Sequence, residues 1–496
     1  MMQYTSTRND SLPVSSAEAV VRGISADGGL FVPVEFPQIT PGEITDFLQM
    51  TYTQRAVSVL KKFFTDFTDE QLQMCTESAY SSGSFPKGNE IRLHQLSDNI
   101  SMLELWHGPT CAFKDMALQI LPHLLIESAE KVQLNKKILI LVATSGDTGK
   151  AALEGFKNVK NTEILVFYPE TGVSPMQKMQ MATQEGDNVR VCAVKGNFDD
   201  CQSEVKKIFT DPNIKADAER SGIVFSSANS INWGRLAPQT VYYISAYADL
   251  VKQGKIMLGD SVNVCVPTGN FGNILAAYYA KQMGIPFKTL ICASNANNIL
   301  TDFINTGIYD KNRKFFTTAS PSMDILVSSN LERFLYHLSG SNGLCELFRS
   351  LDETGRYEVN SAAKAAIKSE LYGGFCDDSQ TRAEISQTFE KYRYLCDPHT
   401  AVALKVYNDY REKTGDNTQT IVVSTANPYK FAKDVLRAVA PNEIQDISDE
   451  FEIIERLNNV TGEHIPDPLK SLKNKPVVHN CVITPEQMHL QLGFNG

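Results

Sequence analysis

The sequence predicts an α/β protein of open, mostly parallel sheets flanked by helices, preceded by a small N-terminal domain. Three observations carry this. Runs such as Lys137 to Ala143 are apolar at nearly every position, not at alternate ones, as in strands covered on both faces. From about residue 96 such runs alternate with helical stretches. Several of them end in loops of small residues that open straight into a helix, where open α/β sheets collect ligands. At 496 residues the chain is too long for one core. It divides on this reading into an N-terminal arm (1–95), a smaller α/β domain (96–230) and a larger α/β domain with a helical C-terminal part (231–496).

The elements follow in order. Asp27-Gly28-Gly29 is a turn signal leading into a short strand through Leu30, Phe31, Val32 and Pro33. Residues 41 to about 82 read as helical, with Phe47, Leu48, Tyr52, Ala56, Val59, Leu60 and Phe63 at the apolar positions. This arm is expected to pack without supplying catalytic residues. Gly108-Pro109 ends an extended segment, and an amphipathic helix begins whose apolar face is Phe113, Met116, Ala117, Ile120, Leu121 and Leu124. Strands are expected at 137–143, 164–168, 189–194, 262–266, 289–293 and 420–424. Residues 300–415 read mostly as helices and loops, and the tail from about 442 mixes charge, proline and short helical stretches.

Composition narrows the function classes. A formal net charge of -10 argues against general nucleic-acid binding. No apolar run approaches a membrane span, and the first nine residues lack the apolar core of a signal peptide, so a cytoplasmic protein is expected. The ten cysteines and eight histidines are scattered without C-x-x-C or H-x-x-x-H spacing. Neither a disulfide framework nor a metal site is expected.

Lys114 sits beside the apolar stripe at a helix start, where a partly desolvated amine can lose its proton and act as a nucleophile. A stem laid along the helix with its ammonium in water fits the same pattern. In Ala143-Thr144-Ser145-Gly146-Asp147-Thr148-Gly149-Lys150, small residues let a ligand approach amides at a helix N-terminus, although turn and N-cap chemistry also explains them. Pro267-Thr268-Gly269-Asn270-Phe271-Gly272-Asn273 has the G-x-x-G spacing that cradles a phosphate, without the lysine of a nucleotide loop; a tight structural turn is its other reading. Ser424-Thr425-Ala426-Asn427-Pro428 ends a strand in a turn. Arg235 and Lys178 are candidate donors to a phosphate, and either also fits an ion pair.

Taken as an ordered set, these motifs resemble the threonine synthases, pyridoxal-phosphate enzymes of the tryptophan-synthase-β-like fold (fold type II). The resemblance runs through Ser6-Thr7-Arg8, the Asp27-Gly28-Gly29 segment, Leu105-Trp106-His107-Gly108-Pro109-Thr110 with Phe113-Lys114-Asp115, the two glycine loops, 195–202, 229–235 and Thr425 to Phe431. Asp147 stands where many fold type II relatives carry Asn, and it matches the threonine synthase form. The resemblance implies two open sheets and pyridoxal 5'-phosphate as cofactor. It implies Lys114 as the catalytic lysine that holds the cofactor, Gly269, Asn270, Phe271, Gly272 and Asn273 around the cofactor phosphate, and Thr425 facing the pyridine nitrogen. Thr144, Ser145, Gly146, Asp147 and Thr148 would bind substrate, with Lys178 and Arg235 on its phosphate.

The implied activity is a carbon–oxygen lyase acting on phosphates, in a monomer or homodimer. It converts O-phospho-L-homoserine and water to L-threonine and phosphate by β,γ-elimination and replacement, the last step of threonine biosynthesis. Two alternatives stay open: a threonine-synthase-like phospho-lyase yielding 2-oxobutyrate, and a catalytically silent binding or regulatory protein on the same fold. Asp397-Pro398-His399 reads as a helix start rather than a catalytic histidine.

Overall fold

A computed structural model describes residues 1–445 and 447–493, with the side chain of Asp199 outside that description. Two of its sheets have two strands each, and the two larger sheets are open. One has five strands, all parallel, in the order Cys481–Ile483, Val189–Val194, Thr162–Pro169, Lys137–Ala143, Ile223–Ser227. The other has six, in the order Leu371–Phe375, Phe287–Ser294, Val262–Pro267, Thr420–Ser424, Ile100–Glu104, Arg92–Ser97, and only its last pair is antiparallel. All six expected strands are present. Their apolar runs are buried because helices cover both faces of each sheet.

The sheets cut across the linear division at 95/96 and 230/231. Arg92–Ser97 and Ile100–Glu104 join the six-stranded sheet, beside strands from 262 onward. The tail, read as a mix of charge, proline and short helical stretches, forms the helix Glu450–Thr461 and then returns as Cys481–Ile483 to edge the five-stranded sheet, a strand that was not expected. The expected helix from Phe113 is two: Asp115–Leu118 and Leu121–Lys131. Pro122 accounts for the break, because it lacks an N–H and its ring crowds the carbonyl four residues back. That carbonyl, of Leu118, lies 2.0 Å from where a Cβ on Gly155 would stand, so the neighbouring helix can pass only with glycine there.

The arm forms four helices, Ser16–Arg22, Pro41–Phe47, Tyr52–Phe63 and Asp69–Tyr80, each opened by a reciprocal capping box. It packs on Trp233–Lys252, a helix buried around most of its circumference. The first residues reach further. Thr7 Oγ1 donates to Glu332 Oε1 at 2.7 Å, and the Arg8 guanidinium bonds both oxygens of Glu332. Next to it, Asn330 donates from its backbone N–H and from Nδ2 to the carbonyl of Asn270, in one of the glycine loops. The arm thus braces the loop at one remove.

Candidate active site

Three adjacent strands of the six-stranded sheet deliver the site from their carboxyl ends: Ile100–Glu104 leads to Lys114, Val262–Pro267 to the 269–273 loop, and Thr420–Ser424 to Thr425. The five-stranded sheet contributes the 144–148 loop after Lys137–Ala143. Lys114, Thr144, Ser145, Thr148, Arg235, Gly269, Asn270, Phe271, Gly272, Asn273 and Thr425 line one cleft together. Residues far apart in sequence converge as the fold class requires.

Lys114 caps the helix Asp115–Leu118 and leaves its side chain only 11% exposed. Its Nζ donates to Ser322 Oγ at 3.4 Å and lies 3.7 Å from Asp147 Oδ2. Burial lowers its pKa to about 8; nearby Asp147 resists this, while the charges of Arg235 and Lys430 add to it. The loop carrying it is stitched to the Thr425 strand: Phe113 N–H donates to Thr425 O at 2.8 Å and Asn427 N–H to Cys111 O at 3.1 Å.

Asp147 is buried and points behind the cleft. Its Oδ1 accepts from Lys430 Nζ at 2.7 Å and from Gln177 Nε2 at 2.8 Å. Burial by itself would raise this carboxyl, but Lys430, Lys114 and the bond from Gln177 outweigh it and hold it well below the usual range. Lys430 is fully buried and also donates to Thr110 O at 2.8 Å. The sequence contained Lys430 without revealing this partner.

The 144–148 residues divide their labour. Thr144 Oγ1 accepts from the N–H groups of Gly146 and Gly149 at 3.0 and 2.9 Å, which commits it to holding the loop. Gly146, at φ 138°, lies against Gln177, where a Cβ would come within 2.4 Å of the amide. Ser145 and Thr148 face the cleft at the start of the helix Asp147–Phe156, whose N-cap residue is Gly146. Arg235 is buried, donates to Ala228 O at 3.0 Å and Thr148 Oγ1 at 3.4 Å, and pairs with no carboxylate among the described residues. Burial lowers it to about 10. Lys178, expected at the substrate phosphate, is exposed on the helix Pro175–Ala182 and lies outside the cleft lining. That helix buries Met176, Gln177, Gln180 and Met181, which turns position 178 to solvent.

The residues present fit pyridoxal phosphate. Phe271, left-handed at φ 62°, opens the helix Gly272–Gln282 with no side-chain cap, so its first amides are free for an anion. Asn273 Oδ1 accepts from the hydroxyls of Tyr242 and Tyr243, each at 2.6 Å, and its buried Nδ2 has no partner among the described residues. A donor left so is costly unless a ligand takes it. Sequence reasoning missed Ser322, which had no signature, and His399, whose ring lines the cleft although the helix Pro398–Thr414 starts there as expected. Among the described residues no group of His, Cys, Asp and Glu has a metal-binding arrangement.

Residues 91–343 match the family described as pyridoxal-phosphate dependent enzyme, which places the cleft in that class. The flanking segments narrow it, for residues 3–80 match threonine synthase N terminus and 400–470 match threonine synthase, C-terminal. The chain is 36% identical to threonine synthase of Schizosaccharomyces pombe over 470 residues, covering 88% of this chain and 90% of the relative. It is 42% identical over 444 residues to human threonine synthase-like 1, covering 87% of this chain but only 59% of that longer relative. The crystal structure of threonine synthase from Brucella melitensis, with pyridoxal phosphate bound, superposes with a TM-score of 0.85 at 34% identity, over 98% of this chain and 97% of that one. The chain belongs to the threonine synthase family.

Proposed function

We propose that the protein converts O-phospho-L-homoserine and water to L-threonine and phosphate, the step that completes threonine biosynthesis. The observation that carries this is Lys114, an amine of lowered basicity between an uncapped helix N-terminus and a carboxylate-free buried arginine. When bound, pyridoxal phosphate supplies an electron sink for the charge left at the substrate Cα. The first amides of the helix Gly272–Gln282 and Asn273 Nδ2 would hold its phosphate, and Thr425 would meet its pyridine nitrogen. Lys114 holds the cofactor covalently, and once released moves protons at the substrate carbons, for which a pKa near 8 suits it. Ser145 and Thr148 bind the substrate carboxylate at the N-terminus of the helix Asp147–Phe156. Arg235 takes the substrate phosphate, and Asp147 holds Lys430 and Gln177 in place rather than touching substrate.

The test is to incubate the cofactor-loaded protein with O-phospho-L-homoserine and identify the organic product. Threonine supports the reading, and a Lys114→Ala variant that still turns over would overturn it. A second reading is favoured by the higher identity to threonine synthase-like 1: a phospho-lyase, for which 2-oxobutyrate is the expected product. We further place the protein in the cytoplasm, as a monomer or homodimer. Ten free cysteines, most of them buried, agree with a reducing compartment. Among the described residues no helix is long and apolar enough to cross a membrane.

A further inference from the structure

A turn absent from the proposed mechanism touches both halves of the cofactor site. Pro321–Met323 brings Ser322 Oγ to 3.4 Å from Lys114 Nζ. On its other side, the Ser322 carbonyl oxygen lies only 2.6 Å from where a Cβ on Gly269 would stand. Its base is fixed: Asp324 accepts from Asn295 Nδ2, Asn297 Nδ2, Thr318 Oγ1 and Thr318 N–H at 2.7 to 3.0 Å. At the tip, Ser322 N–H donates to His399 Nε2 at 3.2 Å. His399 can accept there only with that nitrogen bare. Asp397 arranges this, since its Oδ1 lies 2.7 Å from His399 Nδ1 and, as an acceptor, draws the ring proton to that side. Asp397 also accepts from His399 N–H at 2.9 Å, so helix cap and tautomer are set by one carboxylate.

We propose that His399 is a positioning residue: through Ser322 it fixes where the Lys114 amine stands relative to the Gly269 loop. The inference rests on the reading of Lys114 as the reacting amine. A ring that only filled space would need neither the buried Asp397 nor an acceptor aimed at a turn.

The experiment compares wild type, His399→Leu, His399→Gln and Ser322→Ala in the full chain. The unloaded proteins are pulsed with acetic anhydride across pH, and the Lys114 peptide is quantified by mass spectrometry with the peptide of the exposed Lys178 as reference. Loss of the serine contact removes an acceptor from the ammonium and frees the amine. Labelling of Lys114 near pH 7 is expected to rise about threefold in Ser322→Ala and in His399→Leu. Glutamine, which can place an oxygen near Nε2, restores the wild-type profile. The dissociation constant for pyridoxal phosphate is expected to rise roughly five- to tenfold in the first two variants and not in His399→Gln. Equal effects of Leu and Gln would reduce His399 to packing and overturn the proposal, as would an unchanged Lys114 profile in both His399→Leu and Ser322→Ala. Should His399→Leu fail to fold, His399→Asn, too short to accept from the Ser322 N–H, takes its place beside His399→Gln. Failure of the wild type to bind the cofactor, with the labelling pattern intact, supports the positioning role and refutes the proposed function.

Discussion

Replacing Asp147 with Asn tests how the buried charges set the chemistry of Lys114. At 3.7 Å and an effective dielectric of about 20, the attraction between Asp147 and the Lys114 ammonium is about 4 kcal/mol, a ceiling of about three pKa units. Removing the carboxylate takes away the one nearby charge that favours the protonated amine, so the Lys114 midpoint falls from about 8 to below neutrality. Lys430 is then buried without its counter-ion, and stability drops by about 3–5 kcal/mol. Lys430→Met is the opposite probe. It removes a like charge from beside Lys114, so the midpoint rises. The double variant Asp147→Asn with Lys430→Met leaves neither charge stranded and recovers part of the lost stability. The assays are pH-dependent acylation of the Lys114 peptide and urea denaturation of the unloaded chains. Midpoints that move in the same direction in the two single variants, or not at all, would refute the electrostatic account.

Other expectations follow from the same geometry. Because Lys114 has a folded pKa of about 8 against an ordinary 10.5, the unfolded chain binds more protons between those values. Stability of the unloaded protein therefore rises with pH across that window, by at most about 3 kcal/mol, and Lys114→Met abolishes the slope in denaturant titrations. Gly269→Ala drives a Cβ to 2.6 Å from the Ser322 carbonyl oxygen, backbone against backbone. Cofactor affinity and about 1–3 kcal/mol of stability are expected to be lost together, read by equilibrium dialysis and calorimetry. Thr425→Val keeps the shape of that wall and removes only the hydroxyl. Folding is expected to be retained while turnover falls roughly tenfold, and unchanged turnover would remove Thr425 from the pyridine nitrogen.

What the sequence disclosed follows from how local each signal is. Runs such as Ile164 to Phe167 declare a two-sided strand within their own length. Leu371–Phe375 contains Gly373 and Gly374, and Cys481–Ile483 is three residues long, so neither edge strand has enough pattern to be seen. The periodicity from Phe113 to Leu124 was real, but Pro122 divides it into two helices. The glycine loops and Lys114 were singled out by the ordered family motifs around them, since on local pattern alone each fits a structural turn or a lysine with its ammonium in water. The Asp147–Lys430 pair was not, since each partner is a single polar residue whose role depends on a strand in the other sheet. Ser322 was invisible for the same reason: a serine after proline says nothing until the fold sets it against Lys114.

The most direct test is to load the protein with pyridoxal phosphate, reduce it with borohydride and map the modified peptide. The account predicts the phosphopyridoxyl group on Lys114 alone. A label on Lys430 or Lys150, the other buried lysines nearby, or none at all, would contradict it.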